Sequence, residues 1–561
     1  MRGRFAAVLC CCAAVVWISV RADDRFAQAE LTTSASHPVE VRDGLFDFGK
    51  DGVGWLELHN VTKGDYVVRL GEMTNAEGHV SNPCPRSSIR AYSVTCRVDS
   101  ARCVVPLPVD RLNTTGWDPK APAVRLPSRF PVIAPFRFVE VVAAAGGVGV
   151  GNLVRQMVHH PIDMSQSSFA CDNAVLNGIY ELCKYSILAT SFCGLYVDGD
   201  RERTPYEADA YINQLGHYVI DPDFRMARAT FRHLIGHPTW PTEWKQHMIM
   251  IAWTDWMWSG SLELVRESYD VLKNDKLLLD LARADGLVVT GGTRHPSPAK
   301  GNDIIDWPIC ERDGFDCRPV NAVLNAFHYL NLLQMSDLAA ALGKAEDARF
   351  FRDRAAQVRR SYRTAFYREA DRLFADGEGS AHTSLHANAA ALAFGLVPDD
   401  GVRSVADFLE RKGLACSVYF AQYLLEALAR AGRDEAVVRL MGSKGDRSWQ
   451  GMLEQGSTIA LEAWNAKVKP NLDWNHAWGT PPLNVLVRHV LGVTPLEPGF
   501  ARVRICPRAG GLTRVRGRVP TVKGPVVVDV EGERLRVDCP VAARVEWRGK
   551  VFQIGAGRHD F

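Results

Sequence analysis

The sequence predicts a multidomain α and β protein: a central (α/α)6 barrel flanked by an N-terminal β-sandwich and a small C-terminal β-sandwich. Two switches of periodicity carry this prediction. Short β-rich runs broken by Gly, Asn and Pro turns come first, helical periods fill the middle, and β-rich runs return at the end. The boundaries read as 1–22 for a cleavable targeting segment, 37–162 for the first sandwich, 163–494 for the barrel and 495–561 for the last sandwich. A length of 561 residues allows roughly three or four domains.

Each part has its own signature. Arg2 and Arg4 precede an apolar stretch, Phe5 to Val20, and Val20-Arg21-Ala22 is an acceptable cleavage site, the pattern of a secretory signal. The stretch is short for a membrane span, so a secreted or periplasmic mature chain is expected, with a lipoprotein anchor at Cys10-Cys11-Cys12 the weaker alternative. VGWLELHNV, DYVVRLGEM, IRAYSVTCRV and FRFVEVV are the strand runs of the first domain. Val320 to Gly343 then carries apolar residues at i, i+3, i+4 and i+7. The helix EDARFFRDRAAQVRRSYRTAFY begins just after Gly343-Lys344, which predicts an antiparallel neighbour. SLHANAAALAFGLV, GVRSVADFLERKG, VYFAQYLLEALARAG, DEAVVRLMG and LNVLVRHVLG follow. About a dozen helices in all suggest six hairpins closed into a toroid. ARVRICP, GPVVVDVEGERLRVDCP and ARVEWRGKVFQIG return to strand.

Composition excludes some classes. Sixty-six basic and 64 acidic residues leave a net charge of +2, which gives no electrostatic case for nucleic acid or anionic membrane as partner. Neither a phosphate-binding loop nor a dinucleotide fingerprint occurs. No Cys/His spacing of a zinc site occurs, and no metal or cofactor is expected. Cys96 with Cys103 and Cys310 with Cys317 are spaced to pair if oxidised. Asn60 and Asn113 open acceptor sequons.

Chemistry concentrates in three loop regions, where a helical toroid lines its funnel. The run Val197 to Tyr211 holds Asp198, Asp200, Arg201, Glu202, Arg203, Glu207 and Asp209. Glu202 and Asp209 are seven apart and can face one way on a helix; a salt-bridged helix start is the plainer reading. His237 to Gly260 carries Trp240, Trp244, Trp253, Trp256 and Trp258 with Glu243 and Asp255. Trp240 and Trp244 lie beside prolines, which places them in a loop suited to substrate contact. Met452 to Gly479 carries Glu454, Glu462, Trp464, Asp473, Trp474, His476 and Trp478. A smaller piece holds Asp303, Asp306 and Trp307. Carboxylates among tryptophans, with no nucleophilic Ser or Cys arrangement, argue for glycoside chemistry. One carboxylic acid protonates the leaving oxygen, and a second carboxylate attacks or activates water.

At this point the chain resembles glycoside hydrolase family 78, the α-L-rhamnosidases. FDFGKDGVGWLEL, VVRLGEMTNAEG and FRFVEVV resemble the β-domain that precedes that family's barrel. MLEQGSTIALEAW follows in family order, and LNVLVRHVLGVTPLEPGFARVRICP resembles its junction to the last sandwich. The resemblance implies Glu202 as general acid and Glu462 as the base that activates water. It implies Asp198, Arg201, Tyr206, Asp209, Trp253, Trp307 and His476 as sugar contacts, with a further family Asp falling on Glu243 or Gln246; Asp306, beside Trp307, is a further candidate contact. The family's Cys-Pro is replaced here by Gly199-Asp200, which puts the exact sugar or linkage in question.

The implied reaction is hydrolysis with inversion, releasing terminal α-L-rhamnose from an oligosaccharide, polysaccharide or glycoside. The acid must arrive protonated, and Asp198 and Asp209 are the like charges placed to favour that. Two alternatives stand beside it: a uronate-specific hydrolase or lyase of the same architecture, with Arg201 and Arg203 meeting a substrate carboxylate, and a non-catalytic carbohydrate-binding protein.

Overall fold

The computed structural model describes residues 28–116, 121–290 and 303–561. The expected targeting segment 1–22, with Cys10 to Cys12, lies outside the described residues.

The first domain holds eight strands: β1 (Thr32–Ser36), β2 (Glu40–Arg42), β3 (Leu45–His59), β4 (Gly64–Gly71), β5 (Ala91–Val98), β6 (Arg102–Val104), β7 (Ala134–Ala143) and β8 (Leu153–His159), with a short helix α1 (Leu112–Thr115). They form one hydrogen-bonded sheet in the order β1-β8-β3-β7-β4-β5, with β2 and β6 also on β3. The fifteen-residue β3 makes this possible. Its first half pairs β2 and β7 and its second half β8 and β6, with a register shift between Asp47 and Gly52. Phe46, Phe48, Leu56, Tyr66, Val68 and Phe136 pack into one core inside it.

The helical region runs α2 (Ala174–Ala189), α3 (Glu207–Tyr218), α4 (Arg225–Gly236), α5 (His247–Ser259), α6 (Glu263–Val271), α7 (Ala322–Ala341), α8 (Ala345–Phe366), α9 (Leu385–Ala393), α10 (Val402–Lys412), α11 (Ala421–Arg430), α12 (Asp434–Met441), α13 (Trp449–Glu454) and α14 (Pro481–Val485), with the two-residue strands β10 (Tyr367–Arg368) and β11 (Leu373–Phe374) after α8. Side-chain chemistry sorts the helices. Every residue of α3 and all but the last of α9 are buried, whereas α10 buries only Val405, Ala406 and Leu409. From α3 to α12, largely buried helices alternate with ones apolar on a single stripe, as inner and outer members of hairpins would. Asn173, Asn321, Ser384 and Ser448 cap α2, α7, α9 and α13 through their side chains. The α7–α8 turn is a Schellman motif: Gly343 has φ +77°, Lys344 N–H donates to Ala339 O and Gly343 N–H to Ala340 O.

The chain ends in two sheets. One is β12 (Val493–Pro495), β13 (Val503–Ile505), β17 (Ala543–Trp547) and β18 (Lys550–Ile554). The other holds β14 (Arg514–Val519), β15 (Val526–Glu531), β16 (Arg534–Cys539) and β19 (Gly557–Asp560). The two-residue β17–β18 turn places Arg548 and Gly549 both at positive φ, the twist that hairpins favour. A strand within the helical stretch, β9 (Ser168–Cys171), pairs with β14 and completes the second sheet. Its four residues are too short to show alternation in the sequence.

Both expected cysteine pairs are thiols, as are all eleven described cysteines. Cys310 Sγ turns to Val468 O rather than to Cys317. Asn113 is buried with its amide 3.4 Å from Asp200, so its sequon is closed to modification, while Asn60 is exposed. No described helix is long and apolar enough to cross a membrane.

Candidate active site

Four connections converge on one cavity of about 220 Å³: the loop before α3, the loop before α5, the segment after residue 303, and the long connection from α13 to α14. This volume suits one sugar ring rather than an oligosaccharide. Asp198, Arg201, Glu202 and Asp209 line one side, and Glu462, Lys469, Asn471 and His476 the other.

The acidic run is a closed turn. Asp198 N–H donates to Thr204 O at 3.0 Å, and Asp198 Oδ1 accepts Thr204 N–H at 3.0 Å. Gly199 sits at φ +101° because nothing larger fits: a Cβ there meets Asn475 O at 2.4 Å and Asp473 Oδ2 at 2.6 Å. The next two amides dock on those same residues, Asp200 N–H on Asn475 Oδ1 at 2.8 Å and Arg201 N–H on Asp473 Oδ2 at 3.0 Å. Gly199→Ala is therefore expected to cost roughly 1–3 kcal/mol and to misplace Arg201. A thermal melt and glycoside turnover should both fall; an unchanged melt would refute this account of the turn.

Arg201 joins the two halves. Its Nη1 and Nη2 each donate to a Glu462 oxygen at 3.0 Å, and its Nε donates to Glu202 Oε1 at 3.1 Å. Nη2 lies 2.9 Å from a Glu202 oxygen and 3.0 Å from a Glu462 oxygen, so these oxygens are at most about 6 Å apart. Glu462 also accepts Lys469 Nζ at 2.9 Å and Asp473 N–H at 2.8 Å. Glu202 accepts the Tyr206 hydroxyl at 3.0 Å. Asp209 accepts His476 Nε2 at 2.6 Å.

These contacts divide the carboxyls by charge. Burial opposes ionisation of Glu462, but Arg201 and Lys469 outweigh it and hold the carboxyl down at about 2. Asp198 goes the other way: burial and the neighbouring Glu202 raise it well above the usual range. Burial also raises Asp209, which His476 partly offsets, and pushes Asp473 up to about 6. The site thus pairs an ionised carboxylate with a cluster that resists full ionisation, the division acid–base hydrolysis needs.

Aromatic rings close the cavity. Tyr206 packs edge-on against Trp244 at 5.8 Å, Trp244 meets Trp478 at 6.4 Å, and His476 stacks on Trp478 at 4.9 Å. Trp240 and Trp307 complete the wall. Flat apolar rings beside polar groups suit the C–H faces of a sugar.

The remaining expected site residues fall elsewhere. Glu243 and Asp306 are wholly buried behind the wall. Glu243 accepts Ile304 N–H at 2.9 Å and Ile305 N–H at 2.5 Å, fixing a segment in which Ile305 is at φ +62°. Burial, with Asp303 beside it, pushes Glu243 up to about 8. Asp306 accepts Trp307 N–H, Ser417 N–H and His386 Nε2 at 2.7–2.9 Å. Both carboxyls therefore support the segment that presents Ile304 and Trp307 instead of touching a ligand. Gln246 is also fully buried. Trp253 is a correction: helical phase turns it outward, where its indole N–H donates to Asp337 at 3.2 Å. Asp200 also turns away from the cavity. Burial opposes its charge, but Arg203 and Arg90 hold its carboxyl below the usual range, at 2.6 and 2.9 Å.

Lys469, Asn471 and Ile304 line the cavity without having been singled out. Lys469 follows Glu462 by seven residues in a loop, where spacing carries no direction. A support from the first domain was equally hidden. Glu72, buried just past the end of β4, accepts Asn475 Nδ2 at 2.8 Å and Arg90 N–H at 2.7 Å, and Arg90 reaches Asp200. The N-terminal β region thus braces both of these cavity loops.

Residues 164–490 match the family model described as the bacterial alpha-L-rhamnosidase 6 hairpin glycosidase domain. An alpha-L-rhamnosidase of Alteromonas sp. (strain LOR) is 24% identical over 442 residues, covering 70% of this chain and 45% of that protein. Among solved structures, an alpha-L-rhamnosidase from Dictyoglumus thermophilum matches 95% of this chain and 64% of its own, with TM-score 0.75 and 19% identity. A Streptomyces avermitilis alpha-L-rhamnosidase complexed with L-rhamnose matches 95% and 54%, with TM-score 0.75 and 17% identity. The chain spans less than half of the curated relative and under two thirds of either structure. With the family model covering more than half of its residues, the chain belongs to the bacterial α-L-rhamnosidase six-hairpin glycosidase family.

Proposed function

We propose that this protein is an exported α-L-rhamnosidase that removes terminal α-L-rhamnose by acid–base hydrolysis with inversion. The carrying observation is the single cavity that brings Glu202 and Glu462, 260 positions apart in the chain, onto the two sides of one arginine. Glu202 is the general acid, reached by the Tyr206 hydroxyl. Glu462 is the ionised base. Asp198, Asp209 and His476 hold the sugar hydroxyls, and the tryptophans cover its C–H face. The alternation of buried and amphipathic helices supports reading residues 163–494 as an (α/α)6 barrel, and the N-terminal segment supports export.

Inversion needs a water between the carboxyls, which in such enzymes stand about 6.5–9.5 Å apart. In the resting site Arg201 occupies that gap. On this reading sugar binding draws the guanidinium off Glu462, which opens the space for that water. The uronate reading has less support, because Arg201 and Lys469 both donate to Glu462 rather than facing an open anion site.

The test is hydrolysis of an aryl α-L-rhamnoside, with the first-formed anomer followed by NMR. Release of β-L-rhamnose is expected. Retention of configuration would exclude inversion, and absence of turnover on rhamnosides with turnover on uronates would exclude the substrate.

A further inference from the structure

A groove on the outer wall of the helical region gathers positive charge away from the cavity. It runs between α7 and α8, with a volume of about 410 Å³, and Arg352, Arg359, Arg360 and Arg363 line it. On α8 these positions recur at i, i+7, i+8 and i+11, one stripe of the helix. At 1.5 Å per residue the stripe is roughly 16 Å long. Ala355 and Ala356 interrupt it and leave the open space, while Tyr329 and Leu333 of α7 form the facing side.

The cations are poorly matched by the protein itself. None of the four makes an ion pair within 4.0 Å among the described residues, although Arg352 acts on the Asp337 carboxyl at longer range. Arg363 is pinned to the backbone oxygens of Leu396 and Val397 at 2.7 and 3.0 Å. Partial burial and the adjacent Arg359 lower its hold on the proton, with Asp399 opposing. The other carboxylates nearby are Asp353, on the flank of α8, and Asp337, four residues beyond Leu333 on α7. Asp337 is bound by the indole N–H of Trp253. Trp253 is half-buried, and Arg352 acts on the same Asp337 carboxyl, so this ring lies toward the Arg352 end of the stripe.

We propose that this groove binds an extended carboxylate-bearing polysaccharide, a polyuronate chain, away from the cavity where hydrolysis takes place. The guanidinium fork matches carboxylate geometry. Charges recurring along a stiff chain meet a line of arginines, and an aromatic ring at one end suits a sugar face. A nucleic acid is disfavoured by the overall charge of only +2. The groove would hold an anionic polymer while the cavity takes its terminal sugar, but binding here does not depend on turnover there.

The experiment is surface plasmon resonance of the full chain over polygalacturonate, neutral dextran, dextran sulfate and duplex DNA, at low and high salt. Wild type should bind polygalacturonate and not dextran, and salt should weaken the binding. Arg359→Ala with Arg360→Ala should weaken it about five- to ten-fold, with melting temperature and aryl glycoside hydrolysis unchanged. If that double variant melts early, Arg360→Gln alone, at an exposed position, carries the test. Equal binding by variant and wild type, or no binding by wild type at low salt, overturns the proposal. Binding to dextran sulfate or DNA as tight as to polygalacturonate overturns the assignment to uronate.

Discussion

Glu462→Gln is expected to lower kcat by about 10²-fold or more, with rhamnose binding retained. The carboxylate receives four donors, from Arg201, Lys469 and the Asp473 amide. An amide keeps the shape but cannot take a proton from water, and it turns an N–H toward cations. Lys469 then loses its counter-charge and Arg201 keeps Glu202, and breaking such a set costs about 3–5 kcal/mol. Calorimetric titration with rhamnose and a thermal melt separate these effects: loss of turnover in a variant that still binds sugar assigns the base. Glu202→Gln should lose as much on poor leaving groups and less on nitrophenyl rhamnoside, whose leaving oxygen scarcely needs protonation. Full activity of either variant on an unactivated rhamnoside would sink the assignment.

Arg201→Gln is expected to have the second largest effect, and its signature is in pH. Glu462 is ionised down to about 2 because Arg201 and Lys469 stand beside it. A depressed carboxyl contributes stability that is present above its ordinary value near 4.5 and is lost as pH falls toward 2. That difference is worth about 3 kcal/mol in this buried setting. Without Arg201 the Glu462 value rises, so the acid limb of kcat/KM should move upward and the melting temperature at neutral pH should fall. Glu202 would also lose an ion pair, and KM should rise with the loss of a group placed at the sugar. An acid limb that stays put would show that Arg201 does not set the charge of Glu462.

The residues that meet in the cavity were largely legible beforehand. A dense acidic run opening a helix, and a Gly-x-Thr-x-x-x-Glu loop followed by an Asn-His, are chemically conspicuous wherever they lie. What the run could not disclose was which of its acids faces inward. Asp198 and Asp200 are two apart in a loop, and only the docking of Gly199 against Asn475 and Asp473 turns Asp200 to Arg90 and Arg203. Trp253 failed for a related reason. A helix apolar nearly all round, with tryptophans at 253, 256 and 258, does not announce its phase against the bundle, and the packing of α5 on α7 put that ring outside.

The sequence by itself determined the order of β, helical and β segments, the α7–α8 hairpin with its glycine stop, and the two carboxylates of the proposed reaction. These follow from periodicity and residue type within a few turns of chain, where local sterics and hydrophobic patterning act. Only the tertiary structure decided that Arg201 bridges those carboxylates, that Lys469 and Asn471 join them, that Glu72 at the end of β4 supports Asn475, and that four arginines share an outer groove. Each of these depends on the direction of a side chain across elements distant in sequence, and direction is settled by packing and loop path rather than by local preference.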